Sequence, residues 1–232
     1  MRVSIMQPYF FPYLGYFQLI SSSDVFIIYD NIKFTKKGWI NRNRILVNGH
    51  DALFSLPLKK ASDFLDVRER ELSEAFDRAK LLSQFAGAYG KAPQFATAFR
   101  EISAIVSHPA TNLFDYIHNS VIRVCAYLGI RTKIVVSSTL PIEHQNNKAQ
   151  DKVIALCKAL NATEYLNPIG GAELYDRAAF RGAGLDLFFL KMGDVRYPQF
   201  NDAFVPSLSI IDVMMFNSVE RIYELLPQHA LV

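Results

Sequence analysis

Arg2-Val3-Ser4-Ile5-Met6-Gln7-Pro8-Tyr9-Phe10-Phe11-Pro12-Tyr13-Leu14-Gly15-Tyr16-Phe17-Gln18-Leu19-Ile20, followed by Val25-Phe26-Ile27-Ile28-Tyr29, decides the fold. Residues 2–6 carry apolar side chains on both parities, as a strand covered on both faces requires, and Pro8 ends the run. A helix is expected to start near Gly15 and to pass through Phe17, Leu19 and Ile20. Val25–Tyr29 is a second apolar, β-branched run of strand length. Strand, loop, helix and strand make a βαβ unit with a right-handed crossover. In an open α/β sheet the loops that follow such strands form the ligand side.

Outward from this unit, Trp39–Leu46 and Ala52–Leu58 flank Val47-Asn48-Gly49-His50, and Asn-Gly between two apolar-rich segments is a strong hairpin signal. From about Phe64 to Gly129 the spacing turns helical. Leu72, Ala75, Phe76 and Ala79 form one stripe; Phe95, Phe99, Ile102 and Val106 form a second. Leu113, Ile117, Ser120, Val121 and Val124 form a third, with Thr111 or Asn112 as N-cap and Gly129 as the stop. Leu81–Gln94, holding Gly87, Gly90 and Pro93, reads as the break among three or four helices. Alternation then resumes with a strand at Lys133–Val136, a helix at Lys148–Leu160, a strand at Glu164–Leu166, a helix at Glu173–Arg181 and a strand at Leu185–Leu190. That order predicts more parallel sheet. The result is one α/β sheet interrupted by a helical insertion at about 64–129 and by a β-hairpin excursion.

The 232 residues are 50% hydrophobic and 20% charged, which excludes a disordered or collagen-like chain. At roughly 150 residues per domain they suit a single domain spanning 1–232. With 25 basic against 22 acidic residues the net charge is +3, too small to point to nucleic acid unless clustered. Cys125 and Cys157 lie in apolar helical patterns outside any CxxC pair and read as buried thiols. The histidines are scattered, so no metal site is expected. No apolar stretch reaches membrane-spanning length and no signal core follows Arg2, so the expected location is the cytoplasm.

Four stretches carry chemistry. Gln7–Phe17 sets aromatic rings and two prolines between a strand end and a helix start. There, unpaired N–H groups favour an anion, Gly15 allows close approach, and Gln7 and Tyr9 are binding candidates. Asn31–Arg44 holds five basic residues and no acid. Lys36, Lys37, Arg42 and Arg44 are expected to neutralise phosphate, with Trp39 lining the site. On a strand, Asn41 and Asn43 form one row and Arg42 and Arg44 the other, so one row should face inward or toward a ligand. Tyr165–Tyr175 joins a strand to a helix through Asn167-Pro168-Ile169-Gly170-Gly171, with Tyr175 beyond, a second backbone cradle. In Arg196–Phe216, Asp212 is either a buried acceptor or part of a capping box with Ser209. Asp30, directly after the second strand, is the candidate base.

At these stretches the sequence resembles the WbqC-like family of bacterial proteins encoded among surface-polysaccharide and O-antigen genes. The resemblance rests on Met6–Tyr16, Gly38–Asn43, Ala162–Pro168, Tyr197-Pro198-Gln199 and Leu208–Asp212. It implies cell-surface glycan biosynthesis, with aminoacyl or acyl transfer to a nucleotide-linked amino sugar as the activity it suggests. A more distant similarity links Tyr13-Leu14-Gly15-Tyr16 to the His-x-Gly-His motif of HIGH-type nucleotide-binding enzymes such as pantoate-β-alanine ligase. That similarity implies a Rossmann-like parallel sheet and brings ATP in as a candidate ligand. Tyr13 and Tyr16 stand where the two histidines would be, and a neutral phenol donates one hydrogen bond.

The expected function is therefore an enzyme that binds a nucleotide-linked or otherwise phosphorylated amino sugar and transfers an aminoacyl or acyl group to it, with Asp30, Tyr13 and Tyr16 as catalytic candidates. The alternatives are a non-catalytic binding or scaffold protein holding precursors or a partner transferase, and an ATP-dependent amide ligase. No cofactor is assigned, and neither nucleic acid nor a membrane span is expected.

Overall fold

Val3, Ser4 and Ile5 are buried on both faces, which sets the first strand at the centre of the sheet. The computed structural model describes residues 1–144, 149–200 and 203–232. Strand β1 (Arg2–Met6) passes through α1 (Leu14–Ser21) into β2 (Val25–Ile28), parallel to β1 with Val3 opposite Val25 and Met6 opposite Ile28. A hairpin follows, β3 (Arg42–Val47) and β4 (His50–Ser55), joined by Asn48 and Gly49. Both turn residues are left-handed, with φ 50° and 82°, the type I′ geometry that matches strand twist. Then come α2 (Arg78–Tyr89), α3 (Phe95–Val106) and α4 (Leu113–Tyr127). The chain re-enters the sheet as β5 (Lys133–Val136) and continues through α5 (Ala149–Ala159), β6 (Glu164–Pro168), α6 (Arg177–Gly182) and β7 (Asp186–Met192). It closes with α7 (Ile210–Phe216), α8 (Val219–Leu225) and β8 (His229–Leu231).

Among the described residues the main sheet runs β5-β2-β1-β6-β7-β8, parallel throughout except for β8. This is a Rossmann-like α/β sheet with a separate antiparallel hairpin. The chain leaves β1 in one direction to reach β2 and β5, and later in the other to reach β6 and β7. The order therefore reverses between β1 and β6, where a crevice opens at the carboxyl ends.

Strand alternation assigns each face its own core. Val3, Ile5, Val25 and Ile27 pack against Val153, Leu156, Cys157, Tyr165 and Phe180, so α5 and α6 cover one face. On the other, Phe26 and Ile28 join a larger cluster with α1, the hairpin, α2 to α4 and α7. Its centre is aromatic: Phe10, Phe11, Phe54 and Phe85 have ring centroids 4.6–6.3 Å apart. Asn112 caps α4 by accepting from Asp115 N at 3.1 Å, and Gly129, at φ 70°, ends it as the pattern predicts. Both cysteines are free and buried, one in each core, with burial pushing each thiol up to about 12.

Some expected elements take another form. Leu72, Ala75 and Phe76, spaced as a helix, precede α2 in irregular chain, where the bridges Leu58–Leu72 and Glu71–Asn112 supply backbone partners from distant residues. Gly87 lies inside α2, and the break narrows to residues 90–94. The helix expected over Glu173–Arg181 divides into a 3-10 stretch, Ile169–Leu174, and α6, because Asp176 accepts from Ala178 N and starts a new helix. The helix expected from Lys148 is observed from Ala149, and Lys148 lies outside the described residues.

Candidate functional site

The aromatic loop between β1 and α1 is held from within. Phe11 has φ 45°, a left-handed conformation costly for a residue with a Cβ. Its carbonyl accepts from Asn43 Nδ2 and from Ser209 Oγ, both at 2.8 Å, and Pro12 O accepts from Ile210 N at 2.8 Å. Hairpin and α7 thus fix one loop together. The inward row of β3 is Asn43, as alternation requires, but its amide is spent on the Phe10 and Phe11 carbonyls and its Oδ1 on Arg44 N. Asn41 likewise donates to Leu56 O at 2.8 Å. Tyr16 is 1% exposed and donates to Gln7 O at 2.9 Å. That bond commits its one hydroxyl proton to the backbone, so Tyr16 holds the loop after β1 and offers no free donor.

At the carboxyl ends of β1, β2 and β6 lies a crevice of about 310 Å³. Ile5, Met6, Tyr29, Ile32 and Leu174 make its apolar walls; Gln7, Tyr9, Asn167, Gly170, Gly171 and Tyr175 supply the polar or backbone edge. The Tyr165 hydroxyl lies 3.0 Å from Asn167 Oδ1 and 3.4 Å from the Tyr175 hydroxyl, and Asn167 Nδ2 donates to Pro168 O at 3.0 Å. Tyr9 reaches Gln7 Oε1 at 3.4 Å. Gln7 Nε2 has no partner among the described residues, and the Tyr175 hydroxyl accepts from Tyr165 without donating there, so both are unspent donors of the crevice. Gly170 and Gly171 belong to the 3-10 stretch rather than to a loop before a helix. A Cβ on Gly171 would overlap Asn167 Nδ2, so this glycine makes room for a side chain. Gly15 acts alike: it lies within α1, and a Cβ there would overlap the Tyr13 ring.

Tyr9 also lines a smaller cavity of about 210 Å³ with Tyr13, Trp39, Asn43, Arg44 and Ser207. The Arg42 and Arg44 guanidinium groups lie 5.7 and 5.5 Å from the Trp39 ring centre, within cation–π range. Arg44 also donates to Asp51 Oδ2 and Ser207 O, leaving its buried Nε without a partner among the described residues. Burial, then the nearby Tyr13, pushes Tyr9 up to about 12, and burial raises Tyr13. Both are therefore neutral donors at physiological pH.

Asp30 lines neither cavity. Its carboxylate accepts from Ser137 Oγ at 2.8 Å, Ser138 N at 3.0 Å and Ser138 Oγ at 2.5 Å. Burial would raise this carboxyl, but those hydrogen bonds, Ser138 foremost, outweigh it and hold the group below its usual range. A carboxylate so stabilised is a weak base, which does not suit the role the sequence suggested. It fixes the wall that follows β5 instead. Asp212 is the buried acceptor of the two readings: 0% exposed, it accepts from Tyr89, Tyr197 and Gln199 at 2.8–2.9 Å. Burial raises it and the three donors partly offset the shift. It lines neither cavity and ties α2, α7 and the preceding segment together.

The remaining expected cations lie apart. Lys36 pairs with exposed Asp63 at 2.8 Å, Lys37 is exposed, and Arg42 folds back on Gly38 O at 2.9 Å and on Lys37 O. Lys152 was missed by the sequence reading. Its Nζ donates to Asn31 O at 3.0 Å and Asn31 Oδ1 at 3.2 Å, 5.2 Å from the centre of the Tyr29 ring. Burial lowers its proton affinity, against the opposing pull of Asp66 and Asp30. Its signal was available in the rule that loops following parallel strands, and the helix over them, form the ligand edge. Among the described residues no group of His, Cys, Asp and Glu could hold a metal ion, and no helix is long and apolar enough to cross a membrane.

The profile of the WbqC-like protein family matches residues 7–224. A curated Mycobacterium tuberculosis protein named "Uncharacterized protein Rv1507c" is 29% identical over 219 residues, covering 93% of each chain. No solved structure matches the chain.

Proposed function

Because this chain belongs to the WbqC-like protein family, we propose that it serves cell-surface glycan biosynthesis in the cytoplasm, binding a nucleotide-linked amino sugar and transferring an acyl or aminoacyl group to the sugar's amine. The observation that carries this reading is the pair of cavities sharing Tyr9 at the carboxyl edge of the sheet. A two-part ligand suits two small cavities with a common wall better than a single large one. In this reading one ring of the ligand lies in the crevice beside Gln7, Asn167 and Tyr175, and the other lies against Trp39 and Tyr13, with Arg44 supplying positive charge to the linking phosphates.

The chemistry balances with an activated donor, a thioester or ester. The amine nitrogen forms a bond to the acyl carbon, the C–S or C–O bond breaks, the thiol or alcohol leaves, and the nitrogen gives up one proton. That proton passes to the departing sulfur or oxygen, which leaves as the thiol or alcohol. Tyr13, kept neutral by burial and lining the smaller cavity, is the donor this reading assigns to the developing oxyanion. Adenylation has less support, since a phosphate at the start of α1 would meet Tyr13 but not the inward-turned hydroxyl of Tyr16.

A thermal-shift panel with nucleotide-linked amino sugars, their parent sugars and ATP tests the reading. A ligand at about 100 times its dissociation constant adds roughly 2.7 kcal/mol, a shift of several degrees for a chain of this length. Sugar nucleotides should raise the midpoint. A shift with ATP alone would replace the reading with an adenylate-forming ligase, and binding of the sugar without turnover by any thioester or ester donor would leave a binding protein.

A further inference from the structure

No charged side chain lines the crevice between β1 and β6 among the described residues. A phosphate or an ammonium there would lie against Ile5, Met6, Ile32 and Leu174 with no opposite charge, so the charged parts of a ligand belong elsewhere. The smaller cavity, across Tyr9, holds the Arg44 guanidinium. The crevice therefore suits a neutral ring, and its polar groups narrow the choice. Its amide oxygens each accept already: Gln7 Oε1 from the Tyr9 hydroxyl at 3.4 Å and Asn167 Oδ1 from the Tyr165 hydroxyl at 3.0 Å. The Tyr175 oxygen lies 3.4 Å from the same Tyr165 hydroxyl. Two backbone carbonyls of the lining are engaged as well, Met6 O by Tyr29 N and Pro168 O by Asn167 Nδ2. The donors stand differently. Gln7 Nε2 and the Tyr175 hydroxyl donate to nothing among the described residues, and the Tyr29 hydroxyl makes no hydrogen bond there at all.

A charge-free slot with unspent donors favours a ring edged with carbonyl oxygens. Uracil and thymine present two carbonyls and a single N–H, which the uncommitted Tyr29 oxygen can accept. Cytosine, adenine and guanine each bring an exocyclic amine, whose hydrogens would be buried beside oxygens that already accept. We propose that the crevice is the base subsite of the sugar nucleotide and takes uracil or thymine. Gln7 Nε2 and the Tyr175 hydroxyl donate to the carbonyls, the diphosphate passes Tyr9 toward Arg44, and the amino sugar lies against Trp39. The proposal deepens the sugar-nucleotide reading, on which it rests, by naming the base and by placing the reacting amine in the smaller cavity.

Calorimetric titration of the full chain with the diphosphates of uridine, thymidine, cytidine, adenosine and guanosine tests it, with glucosamine 1-phosphate as the ligand that lacks a base. Uridine or thymidine diphosphate should bind at least about tenfold more tightly than the other three. Tyr175→Phe and Tyr29→Phe should each weaken that binding several-fold and leave the affinity for glucosamine 1-phosphate unchanged. The Tyr29 hydroxyl has no hydrogen bond to lose, so its variant should fold normally. Binding of a cytidine, adenosine or guanosine diphosphate as tight as the best of the other two would overturn the proposal, as would unchanged binding in both variants. Weaker binding of glucosamine 1-phosphate in the variants would also overturn it, by placing the sugar in the crevice. Each of these results leaves the acyl-transfer reading standing. Selective binding of uridine or thymidine diphosphate without acyl transfer to any linked amino sugar would sustain the base subsite and refute that reading.

Discussion

Phe11 shows how the chain positions its candidate site one residue at a time. Its left-handed backbone persists because Asn43 and Ser209 converge on its carbonyl. Ser209→Ala removes one of those donors and the cap of α7, so it should cost about 1–2 kcal/mol in urea denaturation. Asp212→Ala would leave the hydroxyls of Tyr89 and Tyr197 and the Gln199 amide without their acceptor, and a loss of about 3 kcal/mol is expected by the same measurement. Asp30 makes a signed statement about pH. Its folded carboxyl is held below the ordinary value, so its stabilising contribution is complete above about pH 4 and is lost as pH falls through the folded value. In Asp30→Asn the stability deficit should therefore be largest near neutrality and should shrink in acid; a deficit that grew in acid would contradict the assignment. At this scale the sequence was only half legible. Alternation put Asn43 and Arg44 in opposite rows without saying which turns inward, and nothing in a β-strand pattern tells an asparagine facing a ligand from one facing a backbone carbonyl 32 residues away.

At the scale of elements, legibility followed locality. The hairpin could be read because Asn48-Gly49 encodes its own turn, and Gly49→Ala, which forces a Cβ at φ 82°, should cost about 1 kcal/mol. Helix α4 could be read from its cap, its stripe and its glycine stop. Residues 64–77 could not, because their backbone partners are remote: Lys33 for Asp66, Leu58 for Leu72, Asn112 for Glu71. No periodicity within the segment records those pairings. In α1, Gly15→Ala should favour the helix by about 1 kcal/mol on propensity alone, yet its Cβ collides with the Tyr13 ring. Ligand binding should accordingly weaken while helix content holds. An unchanged affinity would mean that Tyr13 is not part of the binding wall.

For the molecule as a whole, the order β5-β2-β1-β6-β7 gathers the loops after β1, β2, β5 and β6 on one edge. Two of these carried legible signals, the aromatic loop after β1 and Asn167–Gly171 after β6, and the topology brings them into one crevice. Lys152 was hidden because it arrives from α5, a position that meets Asn31 only once the sheet is assembled. Lys36 and Lys37, conspicuous in sequence, lie outside every cavity described above. In the proposed function a nucleotide-linked amino sugar occupies the crevice between β1 and β6. The most direct test of that claim is calorimetric titration of the protein and of Gln7→Ala, since Gln7 Nε2 is an unspent donor there and its loss leaves the Tyr16 bond to the Gln7 backbone intact. The unaltered protein should bind the sugar nucleotide and Gln7→Ala should bind it about tenfold more weakly. Equal affinity in the two proteins, or no binding in either, would contradict the claim.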